Sequence, residues 1–225
     1  MNDRDASEAP TRRRASLGVW STALAVALAV SASLPARAAH ITPPAVPAGL
    51  EVLPPNRPFL EGHAKGTQNY ICLPCPNPST PASACPDNSG FAWLLFTPEA
   101  TLFDDHDKQL ITHFFSPNPD EDGTIRATWQ DSRDSSIVWG GRAIASTNAD
   151  FVASGAVAWL KLPMAGIQEG PTGGDTLTAT TFIQRVNTAG GVAPSEGCSG
   201  LADVGAKAFQ TYTADYIFYT DDQKH

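Results

Sequence analysis

The chain has 225 residues and a formal net charge of −8, and its apolar fraction of 42% is enough to form a packed core. This composition excludes a disordered chain, and the acidic surface disfavours nucleic acid as a partner. The 18 glycines and 19 prolines are typical of a loop-rich β protein rather than a helical one.

Residues 1–38 have the features of a secretory signal peptide. Three arginines at 12–14 precede an apolar run at 17–34, and Ala36 and Ala38 place small residues where signal peptidase reads. We expect cleavage after Ala38 and a secreted or periplasmic mature protein without a membrane span. The leader also resembles the twin-arginine type, so both export routes stay open.

The mature chain is predicted to be all-β, a single disulfide-stapled β-sandwich or barrel-like domain. Residues 39–57 contain five prolines and are expected to form an extended arm, either lying on the domain or free. The β-rich domain follows at 58–225, with short helical turns predicted near 150–153 and 202–208. Alternating or short apolar runs predict strands at 67–73, 91–97, 100–103, 110–115, 124–130, 137–145, 157–162, 176–186 and 211–219.

Four cysteines follow the leader, and two disulfides are the expected outcome in an oxidising compartment. A thioredoxin-like reading of the CLPC motif fails because the proline-rich stretch after it cannot begin a helix. A zinc site is disfavoured because the second pair lacks CxxC spacing. Of three possible connectivities, we favour Cys75–Cys85 as a local bridge, which leaves Cys72–Cys198 as a long-range one.

Gly190 and Gly191 follow an apolar run and raise the question of a dinucleotide site. A phosphate cradle needs a strand, a glycine turn and a helix N-terminus in that order. No helix is predicted after these glycines, so we expect no nucleotide ligand. The pair is better explained as a backbone turn with positive φ angles.

Residues 118–129 partly match a calcium-binding loop. Asn118, Asp120 and Asp122 occupy its first, third and fifth places, and Gly123 the sixth. The twelfth place is Trp129, where a bidentate glutamate is needed, so a hairpin turn with Asp-Gly at its tip is favoured.

His63 and His113 lie in or beside predicted strands, and with a carboxylate such as Asp104 or Asp131 they form a candidate transition-metal site. No metal-binding spacing supports this site, so hydrogen-bonded structural histidines are favoured. No cofactor is therefore expected, with a transition metal or calcium as the alternative. A GxSxG nucleophile motif is also absent from the sequence.

The four tryptophans after the leader all lie in or beside predicted strands. We expect most of them to pack in the core. An exposed pair that stacks on sugars is the alternative.

Five stretches of the chain are informative when taken together: HAKGTQNYIC, FAWLLFTPEATLFD, THFFSPN, TFIQRVNTAGGVAP and YTADYIFY. They resemble a secreted family of bacteria and fungi known as domain of unknown function 3455. The resemblance covers about residues 43–220 and implies a single exported β-rich domain with no established activity. Some fungal relatives carry a malate-dehydrogenase label, which the missing nicotinamide cradle does not support.

The resemblance also implies a set of candidate site residues. Arg185 is expected to pair either with a carboxylate ligand or with Asp215. Cys72–Cys198 is implied as the bridge shared by the family, and Cys75–Cys85 as an addition. The ligand-binding candidates are His63, Gln68, Tyr70, His113, Gln184, Arg185 and Asn187.

These observations favour a non-catalytic protein that binds a small ligand, a glycan or another envelope component. The first alternative is a metal-dependent secreted enzyme that uses His63 and His113. The second is a structural surface protein.

Overall fold

The structure is a computed structural model that describes residues 41–75, 90–221 and 223. The predicted signal peptide and Cys85 lie outside these residues. The described chain is all-β, and neighbouring strands run antiparallel. The strands are β1 (Asn56–Pro74), β2 (Phe91–Phe103), β3 (Gln109–Asn118), β4 (Thr124–Asp131), β5 (Ile137–Gly140), β6 (Ile144–Ser146), β7 (Trp159–Gln168), β8 (Thr180–Gly190) and β9 (Lys207–Asp221).

The strands close into a barrel, which decides between the two architectures that the sequence left open. The order across the sheet is β5-β4-β3-β2-β1-β9-β8-β7, and β5 also pairs with β7, so these eight strands form a ring. The short strand β6 pairs with the first part of β7, and β5 pairs with the later part of β7. Closure satisfies the backbone groups that edge strands would otherwise expose.

The two-residue alternation of each strand divides its side chains between the barrel interior and an outer layer. On β9, Tyr216 and Phe218 belong to the interior cluster. Ile217 and Tyr219 alternate with them and belong to a second cluster on the outer face. The strand β9 therefore carries buried apolar side chains on both faces. Its outer face can be apolar because other residues of the outer cluster, such as Leu50, cover it.

The tryptophans pack mainly in the core, as predicted. Trp129 lies in the barrel interior, Trp159 lies in the outer cluster, and Trp139 is also buried. Trp93 is half-buried and donates a hydrogen bond from Nε1 to the carbonyl of Glu196. An exposed pair of tryptophans is thus not formed in the described part of the chain.

One end of the barrel is closed by the segment between β7 and β8. Leu177 from this segment is fully buried in the interior cluster. The Asp134 carboxylate holds the segment, accepting hydrogen bonds from the Thr176 and Ser136 backbone N–H groups at 2.9 and 2.8 Å. Burial by itself raises the pKa of Asp134, but these hydrogen bonds outweigh it and lower the pKa well below its usual range.

Two local predictions were wrong. Residues 150–153 form a turn rather than a helix, and the Phe151 and Val152 backbone N–H groups both donate to the carbonyl of Asn148. The predicted strand at 137–145 is interrupted after Gly140, where the chain leaves β5 and re-enters the sheet as β6. The short helices of the described chain are 3-10 turns at Pro119–Glu121 and Leu201–Asp203.

The cysteine and glycine predictions can be compared directly with the structure. Cys72 and Cys198 form a disulfide, as expected. Cys75 is also disulfide-bonded, and its predicted partner lies outside the described residues. Gly190 and Gly191 have φ angles of 68° and 84°, so the positive φ values expected of this pair are confirmed. The expected turn is not formed there, because Gly190 is the last residue of β8 and Gly191 forms a β-bridge with Ala156. No helix among the described residues has the length and apolarity needed to cross a membrane.

The proline-rich arm lies on the outside of the barrel in its described part. Residues 41–55 have no helix or strand, and Leu50 is only 1% exposed within the outer cluster. Gln184 on β8 donates a hydrogen bond from Nε2 to the Leu50 carbonyl at 2.5 Å. The Lys161 ammonium donates to the Glu51 carbonyl at 2.9 Å. The arm thus covers an apolar patch that β8 and β9 would otherwise expose.

We expect the substitution Leu50→Ala to lower the free energy of unfolding by about 3 kcal/mol, because it leaves a cavity under the arm. Leu53→Ala is the matched control, since Leu53 is exposed in the same arm, and its effect should stay within about 0.5 kcal/mol. Urea unfolding followed by tryptophan fluorescence measures both. Equal effects of the two substitutions would show that the arm does not unfold together with the barrel.

Candidate functional site

The barrel contains a cavity of about 540 Å3 that opens at the end opposite Leu177. Ile125 and Val192 are large apolar residues that are exposed at its rim. The size is within the usual range of small-molecule sites, roughly 300–1,000 Å3. Most of the wall is apolar, formed by Leu95, Phe115, Ile125, Ala127, Ala143, Ala156, Val157, Leu160, Leu162, Val192 and Ala193.

His113 on β3 is a buried, neutral histidine in the wall of the cavity. Its Nδ1 atom donates a hydrogen bond to the Thr128 carbonyl at 2.8 Å, which fixes the tautomer and leaves Nε2 as an acceptor. Burial lowers the pKa of His113 to about 3, and the positive charge of Arg185 acts in the same direction. The ring stacks on Trp129 with 4.4 Å between centroids.

Arg185 on β8 brings a buried positive charge to the same cavity. The residue is 9% exposed, and its Nε and Nη2 atoms donate to the Ala158 carbonyl at 3.2 and 2.8 Å. Among the residues described by the structure, no carboxylate forms an ion pair with it. Of the two partners considered for Arg185, Asp215 is excluded, because Arg185 lies opposite Tyr216 in the β8–β9 register and points inward.

Gln68, Tyr70 and Trp129 add further polar groups to the wall. The Tyr70 hydroxyl donates to the Gly191 carbonyl at 2.7 Å, and burial raises the pKa of Tyr70. The Gln68 Nε2 atom is buried without a hydrogen bond of normal geometry within the described chain, although the Tyr212 hydroxyl lies close to it. The indole N–H of Trp129 is buried without a partner in the same part of the chain.

His63 and Asn187 belong to a different cluster, on the outside of the barrel. His63 Nδ1 lies 2.6 Å from Asp215 Oδ1, and its Nε2 lies 2.9 Å from Asp105 Oδ1. Asn187 donates to the other oxygen of Asp215 at 2.8 Å. The hydrogen bond to Asp215 is the largest contribution that raises the pKa of His63. Burial raises the pKa of Glu61, and the negative charge of Asp215 adds to this effect.

The outer cluster can bring metal-ligating atoms together. Ligand atoms of Glu61, His63 and Asp215 lie within 4.8 Å of one another. All three residues are half-buried, and the imidazole nitrogens of His63 already contact carboxylates. His113 is on the inner face of the barrel wall, so it does not contribute to this cluster.

The segment that partly matches a calcium-binding loop is a hairpin turn between β3 and β4, as favoured from the sequence. The Asn118 side chain accepts from the Asp120 backbone N–H at 3.1 Å and donates to Glu121 at 2.8 Å, so it caps the turn. Asp122 and Gly123 have φ angles of 53° and 78° at the tip. Neither Asp120 nor Asp122 is part of a cluster of potential metal ligands in the described chain.

The family model described as "Protein of unknown function (DUF3455)" matches residues 54–220, which are most of the chain. The chain belongs to the DUF3455 family. This match confirms the resemblance seen in the sequence. Comparisons with curated proteins and with solved structures found no match.

The seven ligand-binding candidates of this DUF3455 chain separate into three places. Gln68, Tyr70, His113 and Arg185 line the cavity. His63 and Asn187 meet at Asp215 on the outer face. Gln184 holds the arm, donating to Leu50 and accepting a hydrogen bond from the Tyr219 hydroxyl.

Trp129 and Tyr216 are aromatic residues of the cavity that sequence reasoning missed. Trp129 was assigned only to the core, and Tyr216 was not singled out. Both line the cavity, and their rings lie 5.8 Å apart in an edge-to-face arrangement. Gly140 leaves room for this cluster, since a Cβ atom there would lie 3.1 Å from Trp129 Cζ3. The alternation of Tyr212, Tyr216 and Phe218 on β9 was the available signal.

Proposed function

We propose that this DUF3455 protein binds a small organic ligand in the barrel cavity and does not transform it. The observation that carries the proposal is an apolar cavity of about 540 Å3 with several buried polar groups in its wall. A few polar groups in an otherwise apolar pocket are the usual arrangement of a small-molecule site, in which they orient the ligand.

The chemistry of the cavity supports binding rather than catalysis. Its described lining contains no carboxylate, cysteine, serine or lysine. With a pKa lowered to about 3, His113 is a weak base at neutral pH, far from the value near 7 that suits general acid–base catalysis. Burial also raises the pKa of Tyr70, which keeps its phenol protonated.

The other functions considered from the sequence receive less support. A metal-dependent enzyme using His63 and His113 would need both rings in one site, but they lie on opposite faces of the barrel wall. A glycan platform would need exposed aromatic rings, whereas Trp129, Trp139 and Trp159 are buried. We also propose that the protein works outside the cytoplasm, the location that the Cys72–Cys198 disulfide favours.

The test is titration of the purified protein with Nile red, an uncharged apolar dye that fluoresces in apolar surroundings. We expect one binding site per chain in the wild type. Ala127→Trp places an indole in the cavity and should weaken binding at least about tenfold, a loss of roughly 1.4 kcal/mol. Phe209→Trp adds an indole at an exposed position outside the cavity lining and should bind like the wild type. Equal binding by all three proteins would contradict the proposal.

A further inference from the structure

We infer that the ligand of the barrel cavity is an organic carboxylate, with its charged group on Arg185 and its apolar body against the cavity wall. This inference rests on the proposed function and names the class of ligand. It starts from the electrostatics of the cavity, where one positive charge is buried without a negative partner.

A buried guanidinium without a counter-ion is unfavourable, because it has lost water without gaining a negative partner. An arginine side chain stays charged under all ordinary conditions, so Arg185 cannot avoid this cost by losing a proton. The chain has 23 acidic residues, yet none of the described ones pairs with Arg185. Arg126, also in the lining, is paired with Glu121 at 2.7 Å. Of the two arginines that line the cavity, Arg185 is therefore the one without a carboxylate partner among the described residues.

The unused donors of Arg185 have the geometry that a carboxylate requires. Nε and one N–H of Nη2 point to the Ala158 carbonyl. This leaves both N–H groups of Nη1 and the second N–H group of Nη2. Two parallel N–H donors on adjacent nitrogens match the two oxygens of a carboxylate, which is the commonest bidentate partner of arginine.

The rest of the cavity limits what the carboxylate is attached to. Its wall is largely apolar, and the exposed side chains of Ile125 and Val192 extend this character to the rim. Among the described lining residues, one cation lacks an acidic partner. A single positive charge in apolar surroundings suits a monoanion with an apolar body better than a phosphate ester, which carries up to two negative charges. The buried Nε2 donor of Gln68 provides a further partner for a ligand oxygen.

The experiment compares carboxylates with their uncharged amides in displacement of Nile red from the wild-type protein. The pairs are 2-naphthoate with 2-naphthamide and decanoate with decanamide. We expect at least one carboxylate to bind about tenfold more tightly than its amide, as a charge-assisted hydrogen-bonded pair would give. Arg185→Met should abolish this preference, with each displacement referred to the affinity of that variant for Nile red. Arg133→Met removes an exposed positive charge outside the cavity lining, so it is the matched control and should keep the preference.

The outcomes separate the two proposals. Absence of Nile red binding to the wild type contradicts the proposed function itself. Nile red binding without any carboxylate preference in the wild type overturns only the inference on ligand class. A preference that persists in Arg185→Met overturns the assignment to Arg185. If Arg185→Met does not fold, as judged by near-ultraviolet circular dichroism, Arg185→Lys replaces it. Lysine keeps the positive charge but lacks the two parallel N–H donors of the guanidinium, so the preference for carboxylates over amides should decrease. The comparison of carboxylates with amides in the wild type needs neither variant.

Discussion

The wild type should lose stability when the pH falls from 7.5 to 4.5, and replacing His113 with asparagine should make this loss smaller by roughly 3 kcal/mol. The substitution keeps a side-chain N–H near the Thr128 carbonyl, which accepts from His113 Nδ1 at 2.8 Å. It removes the group that titrates. Urea unfolding at a series of pH values gives the two stability curves, which we expect to diverge below pH 6.5.

The direction follows from the two pKa values of His113. Burial lowers the pKa in the folded protein to about 3, against 6.5 for an ordinary histidine. Between these values the unfolded chain binds a proton that the folded protein does not, so acid favours unfolding. Above pH 6.5 both states are neutral and the stability is unaffected. The loss grows as the pH falls and is complete below about pH 3.

His63 provides the opposite control. Its hydrogen bond to Asp215 raises its folded pKa, so its contribution to stability is present below the unfolded pKa and is lost as the pH rises through the folded one. His63→Asn should therefore lose stability relative to the wild type on the acid side, where His113→Asn gains it. Parallel curves for wild type and His113→Asn would contradict the assignment of a buried neutral imidazole. If His113→Asn does not fold, nuclear magnetic resonance of the wild-type imidazole at pH 5 tests the same point.

Most of the strands could be predicted from the sequence, because their signals are local. The alternation and the turn residues around β3 and β4 lie in one continuous stretch, and the Asp122-Gly123 pair identifies its hairpin. Closure of the barrel could not be predicted in the same way. It depends on β5, a strand of four residues that pairs with Ile167 and its neighbours across a long loop. Nothing within β5 itself indicates that partner.

The candidate site was predicted only in part, because a list of polar residues does not say which face each one takes. Arg185 and Val186 are adjacent, but Arg185 points into the cavity and Val186 into the outer cluster. Asp215 pairs in register with Val186, which places it outside and out of reach of Arg185. A bulge between Val186 and Ala189 then breaks the alternation of inward and outward side chains. The face that Asn187 takes therefore cannot be predicted from its position in the strand.

The disulfide between Cys72 and Cys198 is expected to contribute about 5 kcal/mol to the free energy of unfolding in the loop-closure model. The bond joins residues that are 126 positions apart, so it removes a large part of the freedom of the unfolded chain. It also joins the end of β1 to the segment after β8, which begins with the cavity residues Val192 and Ala193. Its loss should therefore weaken Nile red binding as well as stability.

The measurement is urea unfolding of the double variant Cys72→Ala and Cys198→Ala beside the wild type. Alanine is preferred to serine because Cys72 is fully buried and a hydroxyl there would need a new partner. The matched control is Cys75→Ala with Cys85→Ala, the shorter pair predicted from the sequence, for which the same model gives only about 3 kcal/mol. A smaller loss for the long-range pair than for the local pair would show that loop closure is not the source of the stability. Reduction of the wild type with a phosphine should reproduce the effect of removing both bonds.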